Sequence, residues 1–370
     1  MCTHDPTLVF GSSGVFMSVS QKQLLAAVAL SLGAAGVAQA QSSVSAYGIL
    51  DLSFGSFQYA GLDNSADNSS TTRVESGQMT TSFIGFKGTE DLGGGLKALF
   101  TLESFMRLDT GASGRSNTDV FWARAANVGL SGGFGKAVIG RMDNFLYQQA
   151  LAFNPFGGSF GFSPTIRLTY GKWGPDKGDS GWSNSIAYYT PNLSGFTAAV
   201  QVQPGESQTE STSTGVMAGY ANGPFAIGFG YQVAKSAEAP KADLNDGAKQ
   251  TFGLLGASYD FGAVKLFGQY GQYKGSGFTG TTAATDNVKT KLYQLGLSVP
   301  VSADGKVLAS YGSQTRELTT GDAKHEILTL GYDHFLSKRT DVYAVFMRDD
   351  DDRDGYKAGN TVAFGIRHRF

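Results

Sequence analysis

The last ten residues restrict the fold more than any other stretch. Val362, Phe364, Ile366, His368 and Phe370 alternate with Thr361, Ala363, Gly365, Arg367 and Arg369. That is the two-residue period of a β-strand with one mainly apolar face and one polar face. An arginine turned to lipid would cost about 2–4 kcal/mol at mid-membrane and little near the interface. The favourable register therefore puts Phe370 against lipid and both arginines on the opposite face.

The same alternation recurs along the chain. Val44, Ala46, Gly48, Leu50, Leu52 and Phe54 share one face of a strand whose other face carries Tyr47 and Asp51. Met79 to Lys87 reads as a second strand. Leu96, Ala98, Phe100 and Leu102 alternate with Lys97, Thr101, Glu103 and Arg107 in a third. Short turns fall at 89–95, 131–135, 190–195, 221–224, 260–262, 300–305 and 337–340. Longer polar connections fall at 204–214, 236–249, 275–288, 316–323 and 349–359. Tight turns at one end and loops at the other, with about sixteen strands between them, describe an all-β, transmembrane antiparallel barrel. With 51 Gly, 26 Phe and 16 Tyr, the composition agrees. A formal charge of −2 gives no case for nucleic acid. A soluble β-sandwich shares the alternation but not the two classes of connection.

One connection stands apart. Residues 142–181 hold Pro155, Pro164 and Pro175, a Gly-rich tip at 154–158 and eight aromatic residues, with no sustained helical period. Loops of this length are functional or disordered, and this one is too aromatic for a solvated linker. We expect it to fold back onto the barrel.

Residues 1–40 read as an upstream extension and signal peptide. Lys22 precedes an apolar run from Leu24, which ends in the small-x-small site Ala38-Gln-Ala40. Cleavage is expected after Ala40, with Met17 as the better start, and 41–370 as one barrel domain. Cys2 precedes the apolar run and is not placed for lipid attachment.

Several segments resemble, in order, the β-proteobacterial general porins of the Gram-negative outer membrane. They are Ser43–Asp51, Gly85–Ala98 with its Gly-Thr-Glu-Asp-Leu-Gly-Gly-Gly-Leu-Lys core, Leu102-Glu103, Asn127–Gly135 and Ile139-Gly-Arg141. Asn184–Pro191, Ser337–Tyr343 and Gly365–Phe370 complete the set. The resemblance implies a homotrimer of sixteen-stranded barrels, set in outer-membrane lipid and lipopolysaccharide. It also implies that the third external loop, here 142–181, folds into the lumen and narrows it. In the family, loop carboxylates face a cluster of wall arginines, and several members favour anions. Arg124 matches one such arginine, while Phe83 and Gly181 stand where two others are usual.

A water-filled pore for ions and small hydrophilic solutes selects by width and lining charge. The candidate lining residues are Arg124, Arg141, Lys97, Arg107, Asp51, Glu103, Asp143 and Phe83. Phe153, Phe156, Phe160 and Phe162 are expected to pack the loop to the wall, or to form a stacking track for a solute. The acidic run 349–354 is expected at a solvated external tip, with divalent cation binding as the alternative. No cofactor is expected. A substrate-specific porin is the nearest alternative function. An outer-membrane barrel enzyme is more remote, because His325, His334 and His368 lie in no recognisable Ser/His/Asp pattern.

Overall fold

The computed structural model describes residues 42–370 except 64, 172–178, 206–211, 236–243, 279–287 and 319–320. The expected signal peptide lies outside the described residues. Among the described residues, eighteen strands form one sheet, of which sixteen are long and make the wall. In chain order these are β1 (Ser43–Phe57), β2 (Phe83–Gly93), β3 (Leu96–Arg107), β4 (Ala125–Gly132), β5 (Gly135–Asp143) and β6 (Gly181–Tyr189). Then come β7 (Phe196–Gln203), β8 (Ser213–Asn222), β9 (Phe225–Lys235), β10 (Leu244–Asp260) and β11 (Lys265–Phe278). The last five are β12 (Lys289–Pro300), β13 (Gly305–Leu318), β14 (Gly321–Phe335), β15 (Thr340–Asp351) and β16 (Gly359–Arg369). Each pairs antiparallel with its neighbour in sequence. The barrel closes where β1 pairs with β16, from Ile49↔Arg369 to Ser56↔Val362. Beyond β16, Phe370 exchanges two backbone hydrogen bonds of 3.2 Å with Gly48.

The expected register holds in β16. Val362, Phe364 and Ile366 are 43%, 60% and 49% exposed, whereas Thr361 and Ala363 are fully buried. Arg367 lies on the buried face and pairs with Asp341 at 2.9 Å. Most strands repeat this arrangement, so the exposed face is a band of Leu, Val, Ile and Phe. An exposed apolar surface of that extent is sustained by lipid, not by water.

Four details depart from the sequence expectation. The second strand does not run from Met79. The chain pairs with β1 over Thr71–Ser76, breaks at 77–82, and resumes as β2. Asp51 fills the break, accepting hydrogen bonds from Thr80 N at 2.5 Å and Tyr343 OH at 2.6 Å. The connection expected at 316–323 shrinks to two residues, because pairing continues to Leu318↔Gly321. Nor is the acidic run all external tip. Asp349 and Asp351 lie on the buried face of β15, where Asp349 meets His325 at 2.5 Å and Arg167 at 2.9 Å. Among the described residues no group of three or more His, Cys, Asp or Glu is arranged to hold a metal ion.

The fourth departure lies in the 142–181 stretch, which contains two short helices, α1 (Phe145–Ala152) and α2 (Pro164–Tyr170). Asn144 caps the first by accepting from Tyr147 N, and Ser163 caps the second by accepting from Ile166 N. These caps, with Pro164 in the first turn, are start signals that outweigh the weak periodicity. Leu146, Tyr147 and Ala150 of α1, with Ile166 and Leu168 of α2, pack on Phe252, Leu254, Tyr273, Leu292, Ile327 and Met347 of the wall. Fully burying each of the larger aliphatic side chains contributes about 1.5–3 kcal/mol.

Candidate functional site

The stretch can lie this close because the wall presents glycine beneath it. A Cβ on Gly256 would come within 2.5 Å of Phe153, one on Gly296 within 2.6 Å of Pro155, and one on Gly312 within 2.8 Å of Pro164. Gly228 and Gly331 face Gln149 and Phe156 in the same way. The opposite edge of the stretch hangs from the break in the second strand. There Gln78 O accepts from Ser159 Oγ at 2.6 Å and from Gly161 N at 3.1 Å.

On β5 and β6 only Phe145 of the stretch packs in, against Val138, Met142 and Ala187, and the rest of the buried face of β3–β6 stays open. It borders a polar cavity of about 270 Å³ lined by Thr101, Glu103, Arg124, Asn127, Lys136, Asp143, Gln148 and Tyr189, among others. Arg124 anchors one side. Its Nε is 3.0 Å from Glu103, and its guanidinium lies 4.2 Å from the Phe83 ring centre and 5.5 Å from that of Phe105. Glu103 also accepts from Tyr47 OH. Phe83 is buried beneath Arg124, so its ring positions the guanidinium by a cation–π contact. Lys136 Nζ lies 4.2 Å from the Tyr189 ring centre, and Lys87 Nζ lies 4.6 Å from that of Tyr47.

Beside Arg124 runs a chain of alternating charges: Asp119, Arg115, Asp179, Arg141. Arg115 bonds Asp119 at 2.9 Å and Asp179 at 2.8 Å, and Asp179 also pairs with Arg141. Arg141 further donates to Ser183 Oγ at 2.8 Å and to Ala123 O. Arg115 lies 4.7 Å from the Phe105 ring centre, so it and Arg124 share that ring. Burial alone pushes the Asp179 carboxyl up. Hydrogen bonds from Arg115, and the charges of Arg115 and Arg141, outweigh burial and hold Asp179 below the usual carboxylate range. Asp119 is lowered too, burial being outweighed by Arg115.

Of the eight sequence candidates, Arg124, Glu103, Asp143, Arg141 and Phe83 come together here. Lys97 is exposed beside the short turn between β2 and β3. Arg107 sits at the rim, donating to Asn117 Oδ1 at 2.7 Å. Asp51 is fully buried in the strand break and borders no open space.

A family model described as Gram-negative porin matches residues 25–354. The chain belongs to that family. It is 34% identical over 373 residues to outer membrane porin protein 32 of Delftia acidovorans, across 94% of this chain and 100% of that protein. An outer membrane porin protein of Bordetella pertussis is 30% identical, again across 94% and 100%. Among solved structures, the anion-selective porin from Comamonas acidovorans superposes with a TM-score of 0.73 at 31% identity, covering 89% of this chain and 100% of that one.

Arg115, Asp119, Asp179, Lys87 and Lys136 escape the sequence reading of this porin. Lys87 and Lys136 do lie on polar strand faces, and Asp179 closes the 142–181 stretch. Arg115 and Asp119 sit in a Gly/Ser/Asn connection whose fold no periodicity reports.

Proposed function

We propose that this porin is an outer-membrane channel for passive diffusion of ions and small hydrophilic solutes, narrowed by the 142–181 stretch folded into its lumen. One observation carries the reading. The stretch packs closely against the buried face of β9–β14 and leaves open a polar, charged cleft along β3–β6 that its own Gln148 borders. Family and fold point to a channel and not to an enzyme. Export by the signal peptide, with cleavage after Ala40, accords with this reading. We take the working unit to be a homotrimer with one pore per chain. An unboiled gel sample that migrates as a monomer would refute the trimer.

In the cleft Arg124 and Lys136 face Glu103 and Asp143, and Lys87 stands beside it over the Tyr47 ring, so a weak anion preference follows. At about 8 Å, one unit charge changes local ion concentration roughly twofold in bulk-like water and about thirtyfold at an effective dielectric of 20. Arg124→Ala should therefore move the reversal potential in a planar bilayer under a salt gradient toward cations. Asp179→Asn should move it toward anions, because it leaves Arg141 without its carboxylate and Arg115 with Asp119 alone. An unmoved potential in Arg124→Ala would remove that residue from the selectivity filter.

A further inference from the structure

Two charges in the cleft have no ionic partner, and their signs are opposite. Among the described residues the Asp143 carboxylate makes no hydrogen bond or ion pair, and the Lys136 ammonium meets only the face of the Tyr189 ring, at 4.2 Å. Both line the same polar cavity. The neighbouring arginines are already engaged: Arg124 pairs with Glu103 at 3.0 Å, and Arg141 pairs with Asp179. A lone charge in a recess walled by protein keeps more of its field than one in bulk water, because the effective dielectric is lower. Each of the two therefore attracts a group of the other sign.

They stand at opposite ends of β5. Asp143 closes the strand where the 142–181 stretch begins, and Lys136 lies next to Gly135 at the short turn from β4. At about 3.3 Å per residue the backbone between them spans roughly 23 Å, less the bulge after Gly140. The lysine stem covers part of that gap. Tyr189 stands directly opposite Lys136; its hydroxyl is 3.5 Å from Gln148 Nε2, which donates to Asp143 O at 3.1 Å. An α-amino acid carries both charges on one carbon and is too short to bridge the two ends. A cavity of about 270 Å³ has room for about nine waters at about 30 Å³ each, and so for a solute the size of a small dipeptide.

We propose that this cleft binds small zwitterions whose ammonium and carboxylate are separated by a short chain, the chemistry of a dipeptide. Asp143 takes the ammonium and Lys136 the carboxylate, while Tyr189 and Gln148 line the path between them. The proposal rests on the reading of this cleft as the open passage. The intact protein in detergent at pH 7 is titrated with glycine, with diglycine, with diglycine acetylated at its amine and with diglycine amidated at its carboxyl. Binding is read by saturation-transfer NMR, and block of single-channel current is recorded in parallel. Diglycine should bind more tightly than the other three. Asp143→Asn should weaken diglycine roughly thirtyfold, the effect of one charge at about 8 Å and an effective dielectric of 20, yet tighten the acetylated anion. Lys136→Gln should weaken diglycine by a similar factor, yet tighten the amidated cation.

A damaged site would weaken every probe together, so the opposed signs report charge recognition. Equal binding of all four probes by the wild type would overturn the site, as would a variant that weakens the zwitterion and both singly charged probes alike. Tighter binding of glycine than of diglycine would overturn the assignment to separated charges. Neither side chain bonds another residue, so both variants should keep the gel mobility of the folded protein; if one does not, the other makes the same comparison alone. Conductance of the wild type in salt without peptide is recorded first. A non-conducting wild type counts against the channel, whereas a conducting one that does not prefer diglycine counts against this site alone.

Discussion

Asp51→Ala is expected to destabilise the barrel by about 2–6 kcal/mol, at about 1–3 kcal/mol for each of the two buried donors left without an acceptor. Asp51 is fully buried and holds three pieces of chain together. Its carboxylate accepts from Thr80 N and Tyr343 OH, and its backbone N donates to Ser82 Oγ at 2.9 Å. Arg367 donates to Thr80 Oγ1 at 2.8 Å, which ties the same break to the closing strand. Alanine would leave the Thr80 amide and the Tyr343 hydroxyl buried without their acceptor, a cost charged to each orphaned group. Because the break at 77–82 also carries Gln78, which anchors the 142–181 stretch, conductance should become noisy as stability falls. The denaturation temperature on heated gels measures the first effect and single-channel traces the second. Wild-type stability in the variant would show that the break needs no carboxylate.

Gly256→Leu should give the larger functional effect. The Cβ alone would meet Phe153 Cδ2 at 2.5 Å and Cγ at 2.7 Å, so the stretch has to move. Overpacking of this kind costs about 1–3 kcal/mol, which is comparable with what a single buried aliphatic side chain of α1 contributes. The stretch should therefore lift locally around Phe153 and leave a wider passage. Single-channel conductance should rise and selectivity should weaken, while the β-strands remain paired. Gly253→Ala is the control, since its Cβ would meet only Tyr231 and Phe229 at 3.6 Å or more. Conductance unchanged in Gly256→Leu would mean that the stretch does not set the width.

Strand alternation made the barrel legible in the sequence because lipid outside and polar contacts inside impose a period of two on every crossing. Thr361 to Phe370 carries that information alone, and the structure agrees residue by residue. The 142–181 stretch was legible as a stretch through its length and aromatic content, but its helices were not. They depend on two caps, Asn144 and Ser163, that act over three residues each. Arg124, Glu103 and Phe83 could be chosen because they sit on or beside strands of known polarity.

Residues in connections have no such frame. Arg115 and Asp179 are 64 positions apart and come within 2.8 Å only because the barrel brings two connections to the same rim. Local sequence therefore determined which way each strand faces, the approximate strand number and the presence of one unusual connection. Tertiary structure alone decided which charges neutralise each other and where the wall glycines admit the close approach of the 142–181 stretch. Facing is a property of neighbours in the chain, whereas charge pairing and close approach depend on registers between strands that are far apart in sequence.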